Sequence, residues 1–201
     1  MDPFISCGPN QVKMRREVVL VGRSNVGKST LFISLTGKKV RVGKRPGITL
    51  APTEVPLGRL IYVDMPGYGF MLRRGSVEQE RVKDVIVRYI EEHSSTILVA
   101  VEVIDASSFL EIADRWEKRG EVPIEVEMFG FLEELGLDPV LAANKMDRIA
   151  NPDQALDWIV DRLGMPSPWT QWSDRVAPIS AKRGEIEALQ MIIRARSQSR
   201  S

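Results

Sequence analysis

The chain opens its ordered part with four apolar residues in succession, Val18-Val19-Leu20-Val21, and then turns polar at Gly22. This pattern predicts a buried strand over 17–21, followed by a helix from Lys28 to about Thr36 that stops at Gly37. Residues 38–53 are polar and punctuated by Gly and Pro, which reads as a long loop. Residues 54–57 and 60–64 flank Gly58-Arg59 as an antiparallel hairpin. A loop follows over 64–70. Val82, Val85, Ile86 and Tyr89 recur at helical spacing within a helix over 77–92. Residues 97–104 form a nearly continuous apolar run, the signature of a strand covered on both faces. Helices are expected over 111–119 and 124–136, a strand over 139–143, a helix over 153–163, a strand over 176–179 and a final helix over 185–196. Strands that alternate with helices imply a mostly parallel sheet with helices on both faces, hence an α/β fold of three layers and six strands.

Composition narrows the setting. Hydrophobic residues are 43% of the 201 and charged residues 27%, enough to build one α/β core. The net charge of +1 gives no bulk reason to expect DNA or a membrane as partner, so any such case must rest on local clusters. The lone cysteine, Cys7, cannot form an internal disulfide. No apolar h-region marks the first 16 residues, and no run reaches the length of a membrane span. A cytoplasmic protein without signal peptide or anchor is the expectation.

The residues after the first strand, Gly22-Arg23-Ser24-Asn25-Val26-Gly27-Lys28-Ser29-Thr30, fit G-x-x-x-x-G-K-[ST], the phosphate-binding P-loop. The glycines let successive backbone N–H groups converge on phosphate oxygens, and the helix that follows adds its positive end. Lys28 would reach the β- and γ-phosphates, and the Ser29 hydroxyl would serve Mg²⁺, which takes hard oxygen ligands. This loop alone does not choose between ATP and GTP.

Three later motifs make the choice. In Asp64-Met65-Pro66-Gly67, the carboxylate can hold the Mg²⁺ shell and the glycine N–H can face the γ-phosphate. In Asn144-Lys145-Met146-Asp147, the Asp147 carboxylate can accept both N1–H and the 2-amino group of guanine, a donor pair adenine lacks. Asn144 can bond N7 and tie this loop to the P-loop, and the Lys145 stem can lie over the base. Ser180-Ala181-Lys182 follows the last strand, and its backbone N–H could meet guanine O6. All four motifs fall at strand carboxyl ends, where open α/β sheets bind ligands.

From residue 17 to about 195 the chain resembles the TRAFAC class of P-loop GTPases and, within it, the EngB (YihA/YsxC) family. The resemblance rests on GRSNVGKS at 22–29, PGIT at 46–49, DMPGYGF at 64–70, NKMD and ISAK. It implies a small G domain over 16–196, between a flexible tail at 1–15 and a disordered one at 197–201. It implies GTP binding and hydrolysis to GDP in large ribosomal subunit assembly, with the large subunit or its rRNA as partner to a monomer. It also implies a switch loop carrying Thr49 as a Mg²⁺ ligand, with Thr53 as the alternative, and a second switch from Asp64 through Gly75. Ser29, Thr49 and Asp64 would then serve the metal, and Lys28, Thr49 and Gly67 the reaction.

Many GTPases carry a water-orienting glutamine after D-x-x-G; here that position is Tyr68. Slow intrinsic turnover, about 10⁻⁴ to 10⁻² per second, is therefore expected, with a partner or ion to accelerate it. In GTPases resembling this one, an asparagine at the position of Asn25 marks K⁺-dependent activity; a purely local bracing role for Asn25 is the alternative. Arg23 reads as solvated or as a phosphate contact. Lys38, Lys39, Arg41, Lys44, Arg45, Arg73 and Arg74 could meet rRNA phosphates or simply face solvent. His93 suits a helix end. Trp169 and Trp172 read as packing, Met128, Phe129, Leu132 and Leu135 as core, and Glu111, Glu117 and Glu121 as solvated. Three rival functions stay open: a GTP-bound scaffold with negligible hydrolysis, an ATP-using P-loop enzyme, and a GTPase of cell division.

Overall fold

The structure, a computed structural model, describes residues 15–38, 51–68 and 77–199. Its six strands are β1 (Arg16–Gly22), β2 (Thr53–Leu57), β3 (Leu60–Asp64), β4 (Ile97–Asp105), β5 (Val140–Asn144) and β6 (Val176–Pro178). They lie in the order β2-β3-β1-β4-β5-β6. Only β2 runs antiparallel, paired with β3 through the Gly58-Arg59 turn; every other pairing is parallel. The expected three-layer architecture is thus the observed one.

The helices are α1 (Lys28–Thr36), α2 (Val77–His93), α3 (Phe109–Glu117), α4 (Ile124–Glu134), α5 (Pro152–Arg162) and α6 (Glu187–Ser199). Because alternate residues of a parallel strand point to opposite faces, β1 feeds two cores. Val18 and Leu20 pack with Leu31 and Phe32 of α1 and Leu189 and Ile193 of α6. Val19 and Val21 pack with Ile86 and Ile90 of α2 and Leu132 of α4. A third cluster joins Leu141 and Ala143 of β5 to Leu156, Ile159 and Val160 of α5, with Trp169 and Trp172 packed against it. Each Val, Leu or Ile so buried contributes about 1.5–3 kcal/mol relative to exposure.

Both ends of α6 differ from expectation for local reasons. Residue 185 stays outside α6 because Ser180 N–H donates to the Glu185 carbonyl at 2.9 Å, which holds it in a turn. At the other end, α6 continues to Ser199, past the expected stop at Arg196. The hydroxyls of Ser197 and Ser199 donate to the carbonyls of Arg194 and Arg196 at 2.7 and 3.2 Å. The tail expected to be disordered from 197 is therefore helical through 199.

The amino end of β1 carries a polar clasp. The buried Glu17 carboxylate accepts the Tyr89 hydroxyl at 3.0 Å and the Thr96 hydroxyl at 2.9 Å, and lies 2.9 Å from His93 Nδ1. His93 stacks on Tyr89 with ring centroids 4.0 Å apart. His93 therefore staples the end of α2 to β1, far from the sheet edge that carries the motifs.

Candidate nucleotide-binding site

The register of the sheet brings the sequence motifs to one edge. Leu20 of β1 pairs with Asp64 of β3, Gly22 with Val103 of β4, and Asp105 of β4 with Asn144 of β5. The loops after β1, β3, β5 and β6 consequently emerge together.

The P-loop and the DMPGY turn are in direct contact. Arg23 and Tyr68 form a single parallel bridge. Ser24 N–H donates to the Tyr68 carbonyl at 2.9 Å, and Ser24 Oγ to the Gly67 carbonyl at 3.2 Å. A Cβ at Gly67 would stand 2.9 Å from Ser24 Oγ and 3.2 Å from its N and Cα, so any side chain there would push Ser24 away. The Lys28 ammonium is buried between the Asp64 carboxylate and the Met65 carbonyl. Ser29 Oγ donates to the other Asp64 oxygen at 3.3 Å. Lysine, carboxylate and hydroxyl thus share one point at the start of α1, while Thr30 is exposed on the first turn of that helix.

The NKMD and SAK loops close on the P-loop from the other side. Asn144, 3% exposed, donates through Nδ2 to the Val26 carbonyl at 2.8 Å. Its Oδ1 accepts Ala181 N–H at 2.9 Å. The expected tie between base loop and P-loop is present, and it extends to the SAK loop. Of the SAK backbone donors, Ala181 N–H has Asn144 as its acceptor in this structure. Lys145 has a positive φ of 68°; its ammonium binds the Asn25 carbonyl at 2.9 Å and Asp105 Oδ2 at 2.5 Å. Asp147 N–H donates to Ser180 Oγ at 3.2 Å, which orients the turn, and its carboxylate lies 3.7 Å from Arg183 Nε. Lys182 is exposed beside it. Asn25 is exposed with φ 70°, a left-handed conformation that asparagine tolerates. Gly27 has φ 98°, and a Cβ there would stand 2.3 Å from Asn144 Nδ2.

Two expectations need correction. Arg23 is neither solvated nor aimed at phosphate: it pairs with the buried Glu125 at 3.2 Å. Glu121 is only partly exposed, with Oε2 buried, whereas Glu111 and Glu117 are exposed as expected, Glu117 pairing with Arg162 at 2.7 Å. Among the described residues no group of acidic, His or Cys side chains is arranged to hold a metal ion by itself, so any Mg²⁺ here needs phosphate oxygens or water as further ligands. Thr49, the second switch beyond Tyr68, and all of the basic cluster except the exposed Lys38 lie outside the described residues.

Sequence reading passed over Asp105 and Glu102. Burial pushes the Asp105 carboxyl up, but its hydrogen bonds to Lys145 and Ser107 and the Lys145 charge outweigh this and hold it below its ordinary value. Glu102 is fully buried in β4 and accepts the hydroxyl of Tyr68 at 2.6 Å. Burial raises its pKa well above the ordinary range; the Tyr68 bond lowers it and the Glu125 charge raises it further. The available signal was an acidic residue inside an otherwise apolar run.

Comparison with known proteins agrees with this geometry. Residues 17–145 match the family described as 50S ribosome-binding GTPase. A probable GTP-binding protein EngB of Methanosarcina barkeri is 50% identical over 182 residues, which cover 90% of this chain and 87% of that protein. Its counterpart in Methanopyrus kandleri is 53% identical over 188 residues, covering 89% and 92%. The crystal structure of a probable GTP-binding protein engB matches with a TM-score of 0.83 at 43% identity, covering 91% of this chain and 99% of that one. No helix among the described residues is long and apolar enough to cross a membrane. The chain belongs to the EngB family of GTP-binding proteins.

Proposed function

We propose that the chain binds GTP at this edge of the sheet and hydrolyses it to GDP and phosphate as a molecular switch. The observation that carries the reading is the Asn144 bridge from Val26 to Ala181, which locks phosphate loop and base loops into one frame. In that frame the Asp147 carboxylate reads the N1–H and 2-amino donors of guanine, and the Lys145 stem covers the base. Lys28 exchanges Asp64 and the Met65 carbonyl for β- and γ-phosphate oxygens and neutralises charge that develops there.

Ser29 and Asp64 offer adjacent hard oxygens beside Lys28, a donor set suited to Mg²⁺; Thr49 is the proposed third contributor. Mg²⁺ bound there supplies electrostatic stabilisation to the phosphate oxygens. Gly67 offers its N–H to the γ-phosphate. Tyr68 is buried against Glu102 and cannot orient a water, which supports slow turnover stimulated by a partner or by K⁺ near Asn25. An unchanged rate when Na⁺ replaces K⁺ would remove the K⁺ assignment.

The family's description as 50S ribosome-binding supports the large ribosomal subunit as partner, its assembly as the setting, and a single G domain over 16–196 as the working unit. The test of the core reading is affinity for fluorescent GDP, with ATP, GTP and xanthine nucleotide as competitors, on the native chain and Asp147→Asn. Guanine preference that shifts toward xanthine in the variant supports the assignment. Equal competition by ATP in the native chain defeats it.

A further inference from the structure

Glu102 stands between Val101 and Val103 in the middle of β4, fully enclosed. An apolar side chain would suit this position better, because a buried carboxyl costs free energy unless its polar atoms are satisfied. Oε1 takes the Tyr68 hydroxyl at 2.6 Å, and Oε2 meets no donor among the described residues. Neither the P-loop chemistry nor base reading uses this group, yet its hydrogen-bond partner among the described residues belongs to the DMPGY turn.

Tyr68 has two roles in the contact between that turn and the P-loop. Its carbonyl accepts Ser24 N–H at 2.9 Å, beside the bond from Ser24 Oγ to the Gly67 carbonyl. Its ring, 1% exposed, is fixed by the phenol–carboxyl bond. Arg23, across the bridge from Tyr68, is fixed in turn by the buried Glu125. Both residues of the bridge therefore pair through their side chains with a buried acid. The Gly67–Ser24 approach is close: a Cβ at Gly67 would meet Ser24 Oγ at 2.9 Å and its N and Cα at 3.2 Å, so a side chain there would displace Ser24.

We propose that Glu102 is a positioning residue for the phosphate end of the site: through the Tyr68 hydroxyl it holds the Gly67–Tyr68 backbone on Arg23 and Ser24 and so sets where the Gly67 N–H meets a γ-phosphate. This rests on the GTP reading given above. The raised pKa of Glu102 accords with it, since a neutral carboxyl accepts the phenol bond without carrying a charge into the core.

The test compares GDP with the non-hydrolysable GTP analogue GMPPNP as competitors of fluorescent GDP, in Mg²⁺ buffer, on the full chain. Tyr68→Phe and Glu102→Leu should hold GDP affinity within about twofold while weakening GMPPNP about tenfold, the size expected for one misplaced hydrogen bond. Glu102→Gln, whose amide oxygen can still accept the phenol proton, should restore the GMPPNP affinity. Equal loss for both nucleotides would mark a merely structural residue and overturn the proposal, as would unchanged GMPPNP affinity in Tyr68→Phe. That variant deletes one oxygen only and decides the matter if Glu102→Leu fails to fold. Failure of the GTP reading looks different: the native chain itself would bind neither nucleotide.

Discussion

Asn144 Nδ2 donates to the Val26 carbonyl at 2.8 Å, so a residue of β5 carries the curvature of the loop after β1. Its other end holds Ala181. Asn144→Ala would orphan a buried carbonyl and a buried N–H, each at a cost of about 1–3 kcal/mol. GDP affinity should fall by one to two orders of magnitude, about what such a loss in loop order implies. Isothermal titration of the variant checks this; affinity unchanged from the native chain would mean that the bridge is incidental to binding.

Gly27 should tolerate no side chain. Its backbone is left-handed, and a Cβ would lie 2.3 Å from Asn144 Nδ2. Gly27→Ala must therefore push Asn144 off Val26 or unwind the start of α1. Loss of fluorescent-GDP binding together with a lowered melting temperature is expected, and a variant that matches the native chain in both would contradict the packing described.

The Lys145–Asp105 pair predicts an acid limb in stability. Asp105 is held below its ordinary value of 3.8, so its contribution is present at pH above that value and disappears as pH falls through the lower, folded value. Denaturant unfolding of Asp105→Asn should show a deficit relative to the native chain near neutrality. The deficit should close in strong acid. A deficit independent of pH would assign the effect to packing instead of charge.

Glu102 predicts the opposite slope. Its folded value lies well above the ordinary 4.5, so the folded chain keeps a proton that the unfolded chain releases. Stability then falls as pH rises above about 4.5, by up to about 1.4 kcal/mol per unit for one such proton. Glu102→Gln carries no ionisable group there. It should be as stable as the native chain in acid and more stable near neutrality, which chemical denaturation at several pH values resolves. Parallel curves would mean that Glu102 does not retain its proton.

Contiguous spacing made the motif loops legible in the sequence, because Gly22 to Thr30 or Asn144 to Asp147 each act within one turn of backbone. Alternation and helical periodicity likewise placed the strands and helices to within a few residues. Long-range pairing left no such trace. Arg23 finds Glu125 across 102 positions of chain, and Tyr68 finds Glu102 across 34. Nothing local to an arginine in a P-loop announces a buried acid on α4. Within 97–104 the apolar neighbours dominated the pattern and concealed the one residue that breaks it. Ala181 shows the same limit: nothing local to the SAK loop announces that its N–H donates to Asn144, 37 positions earlier in the chain.

The two outer strands of the described sheet share one further trait. β2 contains Pro56 and β6 ends in Pro178, and proline has no N–H to offer a neighbouring strand. β6 is moreover only 3 residues long. A stray extended segment, from another molecule or an unfolding one, would find the hydrogen-bond ladder interrupted at either margin. The fold thereby protects itself against edge-to-edge aggregation, and on the β6 side the safeguard stands only two residues before Ser180 of the SAK loop.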